Sequence, residues 1–278
     1  MTPDPRRKSA LKDMTFAEFR ERLAERPVVL LPFGSHEQQG PHAPMGDFML
    51  TEAIALKVAE ASQAIAAPTI PFGYADFFKT IPGGIQLRAS TFSGLVEDAA
   101  TAFLDHGVEH LLILNGHTSN APLIDQTVRR LRSERGVAVP SINLWQSIPD
   151  ALWTELHGAR VGQARGHGGD PITSVYMHLF PNLLRPDLAR PSSRAQAFGL
   201  ASGGVGNVRF EGMPINVPLN CDEVNPDGML GGDPTLASAE IGRRIVEHLT
   251  GFCARFVQHM RGCDMRDVSV GSPGEALA

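Results

Sequence analysis

The sequence predicts an α/β protein with a mainly parallel central sheet and helices on both faces. Apolar runs such as residues 28–33 contain almost no polar residue, as expected of parallel strands that are covered on both faces. Segments with the apolar spacing of helices alternate with these runs along the chain. No internal repeat interrupts this alternation, so right-handed crossovers should return each strand to one sheet.

Local sequence signals predict the order of the helices and strands. A capping box formed by Thr15 and Glu18 begins the first helix. Helices are predicted over residues 15–26, 48–61, 92–107, 120–132, 148–157, 171–180 and 234–262. Strands are predicted over residues 28–33, 64–70, 111–114 and 137–145. Glycine and proline make residues 71–87 and 183–225 irregular, the second segment with one or two short strands.

The length of 278 residues is enough for one large core, and we expect a single domain. Residues 1–14 are predicted to be an N-terminal extension, residues 15–262 the domain, and residues 263–278 a C-terminal tail that is disordered after Val270.

Composition narrows the class of function. The net charge of -5 and the charged fraction of 20% give no sign of a nucleic-acid or membrane surface, which leaves a small molecule as the expected partner. Three cysteines without metal-site spacing suggest free thiols in a reducing cytoplasm. No stretch reaches the roughly 18 apolar residues of a membrane span.

Polar, glycine-rich segments follow two of the predicted strands. Residues 34–47 come after the first strand, and residues 115–120 after the third. Because parallel strands end at the same rim of a sheet, these two loops can meet. A third glycine-rich segment, residues 158–169, precedes another predicted helix.

Glu37, Asp47 and His117 are the candidate metal ligands in these loops. Carboxylate oxygens and a neutral imidazole suit a borderline cation such as Zn²⁺. Three protein ligands leave room for a water molecule, which such a cation acidifies while it polarises a carbonyl group. Simpler roles are open for each residue: a helix cap or arginine pair for Glu37, an N-cap for Asp47, and a turn hydrogen bond for His117.

His167 and Asp170 are the candidate catalytic residues. The first lies between glycines, where its imidazole could protonate a leaving group or bind an oxyanion. The second could equally begin the helix that follows it. A nucleotide-binding or covalent mechanism is not indicated, since no P-loop and no Gly-x-Ser-x-Gly elbow occurs. Aromatic residues, Phe78 and Trp145 among them, could line a substrate pocket.

Together these segments resemble the creatininase family of metal-dependent amidohydrolases. The resemblance rests on G-S-H-E-Q-Q-G-P-H at residues 34–42, followed by Asp47, and on N-G-H-T-S-N at residues 115–120. Further motifs are I-P-G-G at residues 81–84, H-G-G-D at residues 167–170 and G-G-D-P at residues 231–234.

Three departures from the family pattern concern one metal site. Gln39 replaces a ligand histidine, Ser119 replaces a glutamate found in some members, and Ile172 replaces another glutamate. The resemblance therefore implies one divalent metal per subunit, with Zn²⁺ favoured over Mn²⁺ or Fe²⁺. His36 could be a fourth ligand. Gln39 and Ser119 are then assigned to the substrate pocket.

The resemblance further implies an α/β/α fold, hydrolysis by metal-activated water and assembly into homohexamers. The leading hypothesis is hydrolysis of a C–N bond in a small polar cyclic amide or formamide. A second is hydrolysis of a C–C bond in a cyclic diketone derived from a sugar or inositol, with Gln38, Arg165, Asn216 and Asn220 as partners of a polyol. A third is an inactive binding or scaffold protein.

Overall fold

The computed structural model describes residues 7–192 and 196–269. The helices are α1 (Phe16–Leu23), α2 (Phe48–Ser62), α3 (Ala89–Asp105), α4 (Ala121–Arg135), α5 (Asp150–His157), α6 (Val161–Ala164), α7 (Ile172–Leu179), α8 (Cys221–Val224) and α9 (Ala239–Met260). The strands are β1 (Val28–Phe33), β2 (Ile65–Ala66), β3 (His110–Asn115), β4 (Ser141–Asn143), β5 (Gly166–His167), β6 (Gln196–Ala197), β7 (Leu200–Ala201), β8 (Asn207–Phe210), β9 (Met213–Asn216) and β10 (Leu230–Gly231).

The central sheet is parallel, with the strand order β2-β1-β3-β4. The chain leaves β1 toward β2 on one side, and then reaches β3 and β4 on the other side. Right-handed crossovers in opposite directions place the connecting helices on opposite faces. The strand order therefore reverses between β1 and β3, which is where open α/β sheets form a ligand crevice at the carboxyl ends of their strands.

Helices cover both faces of the sheet, as the sequence predicted. On one face α2 packs against α9, and α9 against α7; on the other face α3 packs against α4. All residues of β1 and β3 are buried, which explains why both strands are apolar except for His110 and Asn115 at the ends of β3. This α/β/α arrangement confirms the predicted fold class.

Two predicted strands are shorter in the structure, and proline explains both. β2 ends at Ala66, before Pro68, and Ile70 makes only an isolated bridge with Phe33. β4 begins after Pro140 and ends where residues 144–147 form a 3-10 turn. Proline lacks the N–H group that a ladder needs, so the long apolar segments are only partly paired.

The last helix begins later than predicted. Asp233 caps a short 3-10 turn by accepting a hydrogen bond from the Thr235 backbone N–H. Ser238 then caps α9, since its hydroxyl accepts from the N–H of Ile241. Among the described residues, the helices lack the combination of length and apolar character that crossing a membrane requires.

Described residues near each end of the chain contact the domain. Ala10 bridges Ala66 at the edge of the sheet, and the Ala138 N–H donates to the carbonyl oxygen of Met265 at 2.7 Å. Met265 is buried in the main core. The predicted extension and tail thus include ordered segments, whereas the disorder predicted after Val270 lies outside the described residues.

Candidate metal centre

The loop after β1 folds back on itself so that its two ends meet. The Gly46 N–H donates to the carbonyl oxygen of Glu37, and the Ser35 N–H donates to Asp47 Oδ1 at 2.8 Å. Gly46 has a positive φ of 81°, and a Cβ atom there would lie 2.3 Å from the carbonyl oxygen of Ser35. Glycine is therefore required at this turn. Tyr176 of α7 donates its hydroxyl to the Gly46 carbonyl oxygen and holds the turn against the domain.

Glu37, Asp47 and His117 converge at the reversal between β1 and β3. His117 Nδ1 lies 2.9 Å from Asp47 Oδ2 and 3.2 Å from Glu37 Oε1. All three residues are buried, and they form the one group of possible metal ligands found among the described residues. The meeting of the two loops, expected from the sequence, is therefore present in the structure.

The simpler roles considered for these residues are not the ones their side chains adopt. Asp47 stands at the N-cap position of α2, but its carboxylate makes no cap hydrogen bond and faces His117 instead. Glu37 accepts hydrogen bonds from Ser35 and Gln39 and is paired with no arginine of the described chain. The turn after β3 is held by the side chain of Asn115, which leaves the His117 imidazole available to the carboxylates.

The cluster has an excess of negative charge. Burial, and after it the charge of Glu37, raises the pKa of Asp47 to about 7. Burial alone would lower the pKa of His117, but the two carboxylates outweigh burial and raise it to about 10. The metal-free cluster thus retains a proton at neutral pH. A divalent cation would neutralise both carboxylates, and the donor set of two oxygens and one nitrogen fits such a cation.

Ser35 belongs to this cluster, although its place in the loop motif was the only role assigned to it from the sequence. Its hydroxyl contacts Glu37 Oε2, lies 3.2 Å from Asp47 Oδ2 and lies 2.9 Å from His117 Nδ1. Ser35 therefore orients all three candidate ligands. The signal available in the sequence was its position inside the loop motif, two residues before Glu37.

His36 does not join the cluster, which corrects its assignment as a possible fourth ligand. Its ring packs near Phe48 and Phe72, with centroid distances of 5.6 and 6.5 Å. The backbone at His36 is extended and makes an antiparallel bridge with Ile85. Consecutive side chains of an extended segment point to opposite sides, so Glu37 points inward and His36 away from it.

A cavity of about 430 Å³ opens in front of the cluster. Its lining includes the residues assigned from the sequence to catalysis or to the amide-substrate pocket, namely Gln39, Phe78, Ser119, Trp145, His167 and Asp170. The indole N–H of Trp145 donates to the carbonyl oxygen of Gly116, which fixes the ring beside the loop after β3. Volumes of this order suit a small ligand.

Gln39 contacts the cluster through its side-chain amide. Its Nε2 donates to Glu37 Oε1 at 2.7 Å, so a neutral donor lies against the carboxylate. Its Oε1 is buried and has no hydrogen-bond partner among the described residues. Ser119 and Ile172 line the same cavity. The three positions that depart from the family pattern therefore face one space.

His167 is held in a defined orientation. Its ring stacks on Phe78 at a centroid distance of 4.3 Å, and its Nε2 lies 2.7 Å from the backbone carbonyl oxygen of Gln38. The side-chain Nε2 of Gln38 lies 2.9 Å from the same atom, but the shorter contact is to an oxygen that only accepts, which assigns the proton to Nε2 and leaves Nδ1 as an acceptor. Although the residue as a whole is partly exposed, desolvation of the imidazole lowers its pKa to about 4. His167 is therefore neutral at pH 7.

Asp170 is engaged by the protein on both of its oxygens. Oδ1 accepts from the Ser174 backbone N–H at 2.9 Å, while Oδ2 accepts from the Ser174 hydroxyl at 2.7 Å and lies 2.9 Å from His157 Nε2. This geometry favours the alternative role at the start of α7 over direct catalysis. His157 was not among the candidates, because thirteen residues separate it from Asp170 and no local motif links them.

A doubly wound α/β sheet with buried oxygen and nitrogen ligands at its reversal point defines a class of candidate metallohydrolases. The family model described as creatinine amidohydrolase matches residues 12–257. The chain belongs to the creatininase family, which confirms the resemblance found in the sequence, and its modest identities to relatives mark it as a divergent member.

Curated relatives carry several different names. Creatinine amidohydrolase of Pseudomonas putida is 31% identical over 190 residues, 63% of this chain and 73% of the relative. A 3-dehydro-scyllo-inosose hydrolase of Thermotoga maritima is 26% identical over 261 residues, 88% of this chain and 81% of the relative. A mycofactocin precursor peptide peptidase of Mycobacterium ulcerans is 28% identical over 240 residues, 82% of this chain and 83% of the relative.

Solved structures that are similar to this chain also include creatininases. A crystal structure of creatinine amidohydrolase superposes with a TM-score of 0.76 at 26% identity, covering 90% of this chain and 96% of the other. A manganese form of creatininase superposes with a TM-score of 0.74, also at 26% identity, over 90% of this chain and 98% of the other.

Proposed function

We propose that this protein is a hydrolase of small polar amides, cyclic amides or formamides, and that it uses one divalent cation held by Glu37, Asp47 and His117. Zn²⁺ is the favoured cation, with Mn²⁺ and Fe²⁺ as alternatives. A cation bound there would polarise the carbonyl group and acidify a water molecule. In the balanced reaction, water supplies OH to the carbonyl carbon and a proton to the departing nitrogen, and the C–N bond breaks.

The buried excess of negative charge is the observation that carries this proposal. Two carboxylates share one imidazole at the floor of the cavity, without an arginine or lysine to neutralise them among the described residues. Burying like charges together costs free energy unless a cation or proton compensates them. The protein therefore maintains an arrangement that a divalent cation would stabilise.

Gln39 supports a single cation. Its Nε2 occupies one face of Glu37 as a hydrogen-bond donor, and a donor N–H cannot ligate a metal. Ser119 and Ile172 offer no charged ligand on the same side of the cavity. At these three positions a second cation would find only neutral ligands, the unpaired amide oxygen of Gln39 and the hydroxyl of Ser119.

The proposed role of His167 is to carry a proton. The neutral ring presents Nδ1 as an acceptor, while Nε2 is fixed on the Gln38 carbonyl oxygen. His167 could thus take a proton from the attacking water and deliver it to the leaving nitrogen. Its stacking on Phe78 keeps the ring in one orientation.

Hydrolysis of a C–C bond in a cyclic diketone is the second candidate, supported by the match to the inosose hydrolase over most of both chains. The side chains expected to bind a polyol argue against it. Of Gln38, Arg165, Asn216 and Asn220, only Arg165 lines the cavity. The amide of Gln38 is already bonded to the backbone of Gly228 and Gly40.

Metal reconstitution with a substrate panel tests the proposal. The protein is stripped with a chelator, reloaded with Zn²⁺, Mn²⁺ or Fe²⁺, and assayed on lactams, formamides and inositol-derived diketones. We expect one equivalent of metal, and hydrolysis of amides only after reloading. Turnover of the diketones alone would favour the second candidate.

The same experiment addresses an inactive scaffold. A cation at a thousandfold excess over its Kd stabilises the native state by about 4 kcal/mol, so the chelator should lower Tm by roughly 10 °C. Unchanged Tm and no turnover would instead indicate a scaffold. A Gln39→His/Ser119→Glu double variant should gain a second equivalent of metal if these two residues limit the count.

We also propose a homo-oligomer, for which a hexamer is the expected form. The hairpin of β8 and β9 exposes Phe210, Met213 and Ile215 to solvent, and exposed apolar clusters commonly mark interfaces. Light scattering coupled to gel filtration measures the assembly. Met213→Asp should dissociate it, and a wild-type protein that is monomeric at micromolar concentration would contradict the proposal.

A further inference from the structure

We propose that the cavity selects an anionic substrate, an amide that also carries a carboxylate group, and that Arg165 binds this carboxylate. The proposal rests on the proposed function, since it assigns a substrate class to the same cavity. Among the described residues that line the cavity, Arg165 is the single arginine or lysine.

The backbone places Arg165 beside His167. Arg165 is extended and bridges Asp170, and β5 follows immediately. Side chains two positions apart in an extended segment lie on one face, and both Arg165 and His167 line the cavity. The separation along such a segment is about 7 Å. A group bound at Arg165 would therefore lie a few bonds from an amide that reaches His167.

The loop that carries both side chains is closely packed. A Cβ atom on Gly166 would lie 2.4 Å from the backbone of Gly231, and one on Gly169 would lie 2.6 Å from the carbonyl oxygen of Ala164. Backbone neighbours cannot yield as a flexible side chain can. The loop thus presents Arg165 and His167 at a fixed spacing.

The guanidinium group is oriented and has donors to offer. Its Cζ lies 4.8 Å from the ring centre of Trp153, over the face of that buried indole. Its one ion pair within the described chain joins Nη1 to Asp150 at 3.3 Å, and the Asp150 side chain is 95% exposed. Such a pair contributes little, so a ligand carboxylate can replace it and accept two N–H bonds in the bidentate geometry of arginine.

The carboxylates that line the cavity do not occupy Arg165. Glu37 and Asp47 face His117, and Asp170 is bonded to Ser174. The guanidinium group therefore remains available to the carboxylate of a ligand.

These distances favour a carboxylate a few bonds from the amide, as in N-acyl amino acids and lactam carboxylic acids. Two matched pairs of probes isolate the charge. They are N-formylglycine with N-formylglycinamide, and 5-oxoproline with 5-oxoprolinamide. Within each pair the size and the scissile amide are the same, and only the acid carries the negative charge.

Steady-state kinetics of the metal-loaded protein on these four probes test the proposal. For wild type we expect KM of each acid to be about 30-fold below that of its amide, as bonds to charged groups usually give. Arg165→Ala should raise KM of the acids by a similar factor and leave KM of the amides and kcat within about threefold. Equal KM for acid and amide in wild type would overturn the proposal.

Two further variants separate recognition from a structural role. Arg160→Ala removes an exposed arginine that does not line the cavity and should change nothing. Asp150→Asn removes the competing carboxylate and should lower KM of the acids up to about threefold, in the opposite direction to Arg165→Ala. If Arg165→Ala instead raises KM of acids and amides equally, or only lowers Tm, Arg165 is structural and the proposal is wrong.

A binding measurement tests the anion site at Arg165 separately from the proposed hydrolysis. If none of the four probes is hydrolysed, the proposed function fails on these substrates, while equilibrium dialysis with labelled 5-oxoproline still tests the anion site. Binding at least about tenfold weaker in Arg165→Ala than in wild type or Arg160→Ala would support it. Equal binding to all three proteins, or no binding to wild type, would overturn it.

Discussion

Two buried aspartate–histidine contacts occur among the described residues, and their surroundings differ in charge. His117 Nδ1 lies 2.9 Å from Asp47, and His157 Nε2 lies 2.9 Å from Asp170. Asp170 also accepts the N–H and the hydroxyl of Ser174, so every part of that carboxylate is bonded within the protein. Its partner ring stacks on Trp153 and does not line the cavity.

The first contact differs because a second carboxylate, Glu37, shares the same imidazole. One ring cannot satisfy two ionised carboxylates, and the surplus charge faces the cavity. Proximity of a histidine and an aspartate therefore does not by itself identify a metal site. What matters is the number of carboxylates for each available donor. It decides whether the protein itself neutralises the buried charge or whether a cation is needed to do so.

Removing His117 should have the largest effect, a loss of metal binding. In His117→Ala the two carboxylates lose their nitrogen partner, and we expect metal affinity to fall by at least about 100-fold, with hydrolysis lost. Metal content after gel filtration measures this directly. His42→Ala is a matched control, because His42 is a buried loop histidine whose Nε2 contacts Thr173 and which does not line the cavity. A His117→Ala protein that keeps a full equivalent would refute the ligand assignment.

Removing His157 should affect stability instead. His157→Phe keeps the stacking on Trp153 but takes one partner from Asp170, which should lower the free energy of unfolding by about 1–3 kcal/mol. Metal stoichiometry should remain that of wild type. Denaturant unfolding and metal analysis are made on the same preparation. Loss of metal without loss of stability would show that the two contacts do not have the separate roles assigned here.

The titration of the metal-free cluster gives a pH dependence with a definite sign. The pKa of His117 is raised to about 10, so between about pH 7 and pH 9 its ring holds a proton that a cation must displace. Metal affinity should therefore rise with pH, about tenfold per unit for one released proton, and level off above pH 10. Calorimetry in two buffers of different ionisation enthalpy counts the proton. Affinity that is independent of pH would mean that the ring is neutral before binding.

His36 should give the smallest effect. Its ring contacts Phe48 and Phe72 and not the cluster, so His36→Ala should leave metal affinity within about twofold of wild type. A stability loss of about 1 kcal/mol is expected from the missing aromatic contacts. A large loss of bound metal would instead show that His36 is a fourth ligand of the cluster.

The sequence by itself determined the class of fold and the main ligand candidates. Uninterrupted apolar runs such as β1 cannot face water on either side, so helices had to cover them. Glu37 and His117 follow strands that end at one rim, and that topology alone brings them together. These inferences use periodicity and connection rules, which depend on local sequence.

Only the tertiary structure decided which way each side chain faces and what it contacts. His36 and Glu37 are neighbours, yet opposite sides of an extended backbone separate them. His157 finds Asp170, and Arg165 lies over Trp153, through packing between segments that share no motif. The tertiary structure also decided where strands begin and end. Pro68 and Pro140 interrupt strand pairing that the apolar composition alone would allow. Such contacts depend on long-range geometry, which no local pattern encodes.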